Sequence, residues 1–374
     1  MRILQIAPLW ETVPPPAYGG TEAVVSALVE ELVRMGHDVT LAASGDSRTS
    51  ATLHAVYHRS LRNAPGLGDP LPYHWAHIGS AISLSAKFDL VHNHAGELAM
   101  AMSHLVSTPM LTTVHSLPPP DTELIWRSYH GAYNSLSANQ RSQLLSAATT
   151  TAREMGYVYN AIDVDSFPFS PARGDDLLFL SRLSPEKGPH HAIEAARRCG
   201  RRLILAGKIG DQDRRFFDEV IAHQIDDDQI VFLGEADARQ KRNLYRNARC
   251  LLLPITWDEP FGLVMPEAMA CGTPVIAFNR GSAPELIEHG LTGFVVDSID
   301  KMVDAIGAVS RISREECRRA ATRRFSPHVM AEGYARIYQQ LMTPRSRDRE
   351  TIVASMANLS ERSSAARATV VDAN

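Results

Sequence analysis

The chain alternates short apolar runs with stretches of helical period, and it does so in two successive series. The first opens with ILQIA (3–7) and a loop rich in Pro and Gly, ETVPPPAYGG (11–20). TEAVVSALVEELVRM (21–35) follows, with Val24, Val25, Leu28, Leu32 and Met35 recurring at helical spacing. Thr21 is placed to cap this helix and Gly36 to end it. DVTLAA (38–43), FDLVHNH (88–94) and PMLTTVH (109–115) read as further buried strands, with an apolar helix between the last two. Near YVYNAIDVDSFPFS (157–170) the pattern breaks into a connector, and a second series begins. DLLFLSRL (176–183), RLILAG (202–207), IVFLGE (230–235), ARCLLLPI (248–255) and TPVIAF (273–278) read as strands, with HHAIEAARRC (190–199) a helix between the first two. Buried strands alternating with helices require a parallel sheet covered on both faces. Each series is therefore on the scale of one doubly wound α/β domain. From about 297 to 342 the pattern is helical, and FSPHVMAEGYARIYQQLM (325–342) carries a Ser-Pro helix start. Segments 44–87 and 117–146 read as irregular.

A length of 374 residues agrees with two domains. The expected division is 1–165, 166–325, a C-terminal helix at 326–342 packing back on the first domain, and a mobile tail at 343–374. With 44% hydrophobic and 21% charged residues the chain reads as a soluble globular protein. A net charge of -4 gives no push toward nucleic acid or an anionic membrane. Cys199, Cys250, Cys271 and Cys317 are scattered without a C-x-x-C, which fits reduced core thiols rather than a disulfide framework or zinc site. Neither a signal peptide nor a run of about 18 apolar residues stands out. The expected compartment is the cytoplasm.

Open parallel sheets bind ligands beyond the carboxyl ends of their strands, so the chemistry is sought in the strand-to-helix loops. AYGGTE (17–22) places two glycines just before a helix, either to let backbone approach an anion or simply to turn the chain. It matches neither G-x-G-x-x-G nor a P-loop. SRLSPEKG (181–188) sets Arg182 and Lys187 five residues apart across a Ser-Pro turn, a pair suited to a diphosphate unless both are merely solvated. DEPFGLVMPEAMAC (258–271) sets Glu259 before a helix and Glu267 in its first turns, eight positions on. These carboxylates are either catalytic partners, two grips on one extended ligand, or a surface residue and a dipole-complementing residue. RGSAPELI (280–287) repeats the glycine turn, with Glu285 in the first turn. His115 ends one strand, as His92 and His94 end another. Local hydrogen bonding is as good a reading for these histidines as function, and zinc lacks a third ligand.

These motifs resemble the family-4 retaining glycosyltransferases of the GT-B fold. The resemblance runs from residue 1 to about 342 and is strongest over 176–296, in SRLSPEKG, LAGK, VFLGE, EPFGLVMPEAMACGTPVIA and the following G-x-x-x-E-L-I. The central piece is similar to that family's Glu-x7-Glu motif. The resemblance implies two Rossmann-like doubly wound domains facing a central cleft. It implies a nucleotide diphosphate-sugar donor, UDP-glucose foremost, as in bacterial members such as pteridine glucosyltransferases, and a hydroxyl acceptor of unknown class. Carried over, Arg182 and Lys187 hold the diphosphate, Glu267 the ribose hydroxyls and Glu259 the sugar ring. Gly262, Leu263 and Val264 offer backbone N–H groups to sugar and phosphate. Gly19 and Gly20 approach the phosphates from the first domain, and His115 lies near the transferred sugar. Phe261, Gly234 and Glu235 complete the donor-binding set.

Neither a cofactor nor a metal is implied, since Arg182 and Lys187 supply positive charge to the departing group. DVD (163–165), similar to a metal motif of another glycosyltransferase fold, falls in the connector. A peripheral membrane contact follows only if the acceptor is a lipid. A double displacement needs a nucleophile on the far face of the sugar; the sequence points to none, and a front-face route is expected. Two other readings stand beside the transferase: a GT-B epimerase or hydrolase, and a non-catalytic nucleotide-sugar-binding protein. Many relatives carry a second glycine where this chain has Ser282, and a more glycine-rich turn where it has AGK (206–208).

Overall fold

The structure, a computed structural model, describes residues 1–343 except 17, 18, 148 and 149. The tail expected at 343–374 lies, apart from Thr343, outside the described residues. Among the described residues, thirteen strands form two sheets, paired in parallel throughout. The first contains β1 (Arg2–Ile6), β2 (Asp38–Ala42), β3 (Thr52–His54), β4 (Leu90–Asn93), β5 (Met110–Thr113), β6 (Ala132–Ser135) and β7 (Arg153–Tyr157), in the order β3-β2-β1-β4-β5-β6-β7. The second contains β8 (Leu177–Leu180), β9 (Leu203–Ala206), β10 (Ile230–Phe232), β11 (Cys250–Leu253), β12 (Val275–Phe278) and β13 (Gly293–Val296), in the order β10-β9-β8-β11-β12-β13.

Each sheet starts at its middle and is wound outward in both directions. The strand order reverses between β1 and β4 in the first sheet and between β8 and β11 in the second. The loops leaving such neighbours diverge, so a crevice opens at their carboxyl ends. That topology decides where a ligand goes. The loop after β1 carries Gly19 and Gly20, that after β8 carries Arg182 and Lys187, and that after β11 carries Glu259.

The core follows from the apolar runs. Ile3, Leu4 and Ile6 of β1 and Leu177, Leu178 and Phe179 of β8 are buried, as nearly continuous apolar strands must be when helices cover both faces. Ala192, Ile193, Ala195 and Ala196 of the helix Pro189–Arg198 pack on the second sheet. Buried Arg314 donates to the carbonyls of Ser170 at 2.7 Å, Arg246 at 2.8 Å and Ala248 at 3.0 Å, tying the connector to the second lobe. Both sheets lie within one unit, Met1–Tyr334. Tyr334, on the helix Pro327–Met342, sets its hydroxyl 3.1 Å from Thr113 Oγ1 of β5. No helix of the described residues is long and apolar enough to cross a membrane.

Several expectations need correcting. Thr21 does not cap its helix. The helix begins one residue earlier, at Gly20, and Gly19 with φ 142° stands at the cap, a backbone state that only glycine adopts readily. Segments 44–87 and 117–146 are not irregular throughout. They hold β3, the helix Leu71–Ser83, β6 and the helix Ala138–Ala147. β6 reads AYNS, too polar to announce a buried strand, yet all four residues are buried. The side chain of Asn134 there is satisfied by Thr113 Oγ1 at 2.8 Å and the Ser135 carbonyl at 3.0 Å.

Candidate active site

The loop after β8 turns through a short 3-10 segment, Pro185–Lys187, and enters the helix Pro189–Arg198 at Gly188, φ 75°. A side chain at Gly188 would collide with the Pro254 carbonyl, so the loop sits tightly against the end of β11. That contact presents Lys187 to the neighbouring loop. Its ammonium pairs with the Glu259 carboxylate and lies 4.8 Å above the Trp257 ring centroid. Trp257 Nε1 donates to the same carboxylate at 3.0 Å. Arg182 pairs with Glu186 and lies 3.4 Å from Asp213 Oδ2.

The loop after β11 rests on the turn after β12. Ser282 is buried, donates its backbone N–H to the Glu259 carbonyl at 3.0 Å, and donates its hydroxyl to the Phe261 carbonyl at 2.7 Å. This serine braces the loop after β11 from beneath. The helix Val264–Ala270 then begins, and the N–H of Val264 has no intrahelical acceptor. Glu267 on that helix is 6% exposed, and its carboxylate accepts from Lys241 Nζ at 2.7 Å and Tyr245 OH at 2.8 Å. Burial pushes the Tyr245 phenol well above its usual range, so it remains a donor.

On the facing side, a side chain at Gly20 would begin 3.4 Å from Leu263 Cδ1, so the glycine turn already meets the loop after β11 in the other lobe. His115 follows β5. Its Nε2 is 2.9 Å from His94 Nδ1, and His94 Nε2 is 2.9 Å from Gln5 Oε1. An amide oxygen only accepts, so the proton sequence runs His115 Nε2–H to His94 Nδ1, then His94 Nε2–H to Gln5, which leaves His115 Nδ1 bare. Burial holds the His115 imidazole down at about 4, neutral near pH 7. His92 turns to Thr113 Oγ1 at 2.7 Å. Among the described residues no group of three or more His, Cys, Asp or Glu could hold a metal ion.

Two adjoining cavities, of about 390 and 360 Å³, make up the cleft. Gly19, Gly20, Lys187, Glu259, Leu263 and Val264 line both. Arg182, Glu235 and Glu267 line the first, and His115, Phe261 and Gly262 the second. Gly234 alone of the expected set lines neither. Its φ of 73° turns the chain, and its carbonyl accepts the Gly207 N–H at 2.8 Å, which positions Glu235 beside it. The sequence reading missed Lys208, Lys241 and Trp257 around the first cavity, with Tyr245 behind Glu267, and Trp10, Glu11, Glu22, Arg62 and Asn160 around the second. Trp257, two residues before Glu259, and Lys241 and Tyr245, four apart on one helix, carried a signal in their spacing. Arg62 carried none.

The two halves of this cleft correspond to two known sequence families. Residues 18–165 match the model described as "Glycosyltransferase Family 4", and residues 166–324 match "Glycosyl transferases group 1". The chain belongs to the family-4 glycosyltransferases. The glycosyltransferase is 26% identical to the glycogen synthase of Mycobacterium tuberculosis, over 90% of this chain and 94% of that one. It is 27% identical to the phosphatidyl-myo-inositol mannosyltransferase of the same organism, over 91% and 97%. Among solved structures it superposes on Anabaena HepE, in complex with UDP and glucose, with a TM-score of 0.69 at 20% identity, covering 91% of this chain and 100% of that one. The enzyme's fold is accordingly GT-B, two Rossmann-like doubly wound lobes facing a central cleft.

Proposed function

We propose that the enzyme transfers a hexose from a nucleotide diphosphate-sugar, UDP-glucose first among candidates, to a hydroxyl acceptor with retention at the anomeric carbon. One observation carries the reading: Arg182 and Lys187 from the loop after β8, Glu259 from the loop after β11 and Glu267 from the helix it leads into line a single cavity closed on the far side by Gly19 and Gly20. Cations at one end suit a diphosphate, and a buried carboxylate held by Lys241 and Tyr245 suits a ribose diol. That Anabaena HepE was solved with UDP and glucose supports the same donor chemistry.

Departure of the nucleoside diphosphate leaves charge on its terminal phosphate. Lys187 and Arg182, fixed before the reaction begins, stabilise that charge more in the transition state than in the ground state. The donor phosphate takes Lys187 from Glu259, freeing that carboxylate to accept hydroxyls of the sugar. Leucine and valine N–H groups at 263 and 264 reach toward the phosphate. The acceptor attacks from the face the phosphate leaves, and its proton passes to the departing phosphate oxygen. With Lys187 and Arg182 in these roles the reaction proceeds without a metal ion.

Thermal shift with UDP-glucose, GDP-mannose and ADP-glucose tests the donor, because a ligand of the folded state raises stability as ln(1 + [L]/Kd). UDP-glucose is expected to give the largest shift, and proton NMR of the glycoside formed from it is expected to show the donor's own anomeric configuration. No shift with any of the three, or an inverted product, would count against the reading.

A further inference from the structure

The second cavity extends beyond the donor residues onto the first lobe, where Trp10, Glu11, Glu22, Arg62 and Asn160 line it. Asn160 is 5% exposed, yet its Oδ1 has no hydrogen-bond partner among the described residues. A buried carbonyl left this way is a place for a ligand donor, since native interiors otherwise pair such groups. Glu11 and Glu22 are also buried, and the Glu22 carboxylate accepts from the Glu11 backbone N–H. Arg62 pairs with Glu11, so its charge is already neutralised, and its guanidinium lies 5.8 Å from the Trp10 ring centroid. Trp10 is stacked near His74, 6.4 Å between centroids and 12° between planes, with 40% of its surface open.

The cavity's two cations, Arg62 and Lys187, are each paired with a carboxylate, and what remains on the first lobe is rich in acceptors. Asn160 Oδ1, the two carboxylates and the bare His115 Nδ1 all receive hydrogen bonds. An anionic ligand brings acceptors of its own and meets two carboxylates; a hydrocarbon leaves Asn160 unsatisfied. A ring of neutral hydroxyls supplies donors on its rim and an apolar C–H face for the indole of Trp10. Resting on the transferase reading above, we propose that this region is an acceptor subsite for a neutral polyhydroxylated ring, a sugar or a cyclitol, with Trp10 as stacking platform and Asn160 Oδ1 receiving a ring hydroxyl.

UDP release from the donor identified above would be followed with glucose, maltose and myo-inositol, and with glucose 6-phosphate and inositol 1-phosphate. At least one neutral acceptor is expected to stimulate release tenfold more than its phosphorylated counterpart, and the glucose and inositol arms separate sugar from cyclitol. Trp10→Ala and Asn160→Ala are each expected to raise the KM for that acceptor about tenfold, with Trp10→Phe recovering most of the loss. The donor Kd, measured by calorimetry in the Trp10 variants, stays unchanged. Preference for a phosphorylated acceptor, no stimulation by any neutral one, or an unchanged KM in Trp10→Ala overturns the assignment. Failure of wild-type protein to bind any nucleotide sugar is a separate result that removes the transferase reading and this proposal with it.

Discussion

At the scale of single residues, the cleft sets a cation against a carboxylate at its centre. Lys187 and Glu259 satisfy one another, and both side chains are largely buried, 16% and 15% exposed. Lys187→Ala leaves Glu259 its bond from Trp257, so the fold should survive while turnover falls roughly 10²–10³-fold, the range for removing one preorganised transition-state contact. Steady-state kinetics beside a circular dichroism melt would check both halves; undiminished turnover would remove Lys187 from the mechanism. Glu267 behaves differently because it is structural as well. Glu267→Ala strands the buried Tyr245 hydroxyl and should cost about 1–3 kcal/mol in urea unfolding. Glu267→Gln keeps an acceptor for Tyr245 and should recover much of that stability while donor affinity stays low. Lys187 and Arg182 were legible in the sequence because their loop follows an unmistakable apolar strand. Lys241 and Tyr245 were not legible as partners of Glu267, because their helix arrives from another strand connection and only packing brings the groups together.

At the scale of elements, Glu285 shows how a local reading can find a residue and misjudge its reach. Its place in the first turn of the short helix Ala283–Leu286 repeats the glycine turn into a helix seen at the other strand-to-helix loops. Yet its carboxylate accepts from the backbone N–H groups of Ala138 at 2.8 Å and Asn139 at 2.7 Å, and from Tyr159 OH at 3.2 Å. It thus caps the helix Ala138–Ala147 of the opposite lobe, satisfying donors that a helix start leaves open. Glu285→Ala should lower stability by about 1–2 kcal/mol, the loss typical of a cap. It should also raise the donor KM by loosening the approach of the lobes; a urea series and initial rates would show both, and an unchanged KM would confine Glu285 to stability. Strands β1, β2, β4, β5, β8, β9, β11 and β12 were readable because burial on both faces writes continuous apolar runs. β3, a three-residue edge strand, and β6, with its internally bonded polar residues, leave no such trace.

At the scale of the whole molecule, the two lobes should differ in their response to acid. His77, His92, His94 and His115 all belong to the first lobe, and burial lowers each imidazole, those of His77 and His115 to about 4. A histidine near 6.5 when unfolded and about 4 when folded binds more protons in the unfolded chain between those values. Its contribution is therefore complete above pH 6.5 and is lost as pH falls from 6.5 toward 4. For buried His77 alone that amounts to something on the order of 3 kcal/mol. Amide exchange compared at pH 7 and pH 5 should show protection falling in the first lobe before the second; equal losses would refute the asymmetry. The parallel winding has one more consequence. Because the residues of the proposed site gather at the carboxyl ends of the strands, the opposite rim lies away from it. Gly36, just before β2, and Gly200, just before β9, sit on that rim with no atom within 4 Å of where a side chain would begin. With the two glycines kept for their φ of 83° and 63°, an affinity handle, a surface tether or a whole inserted module could be joined beside them and leave the mouth of the cleft clear.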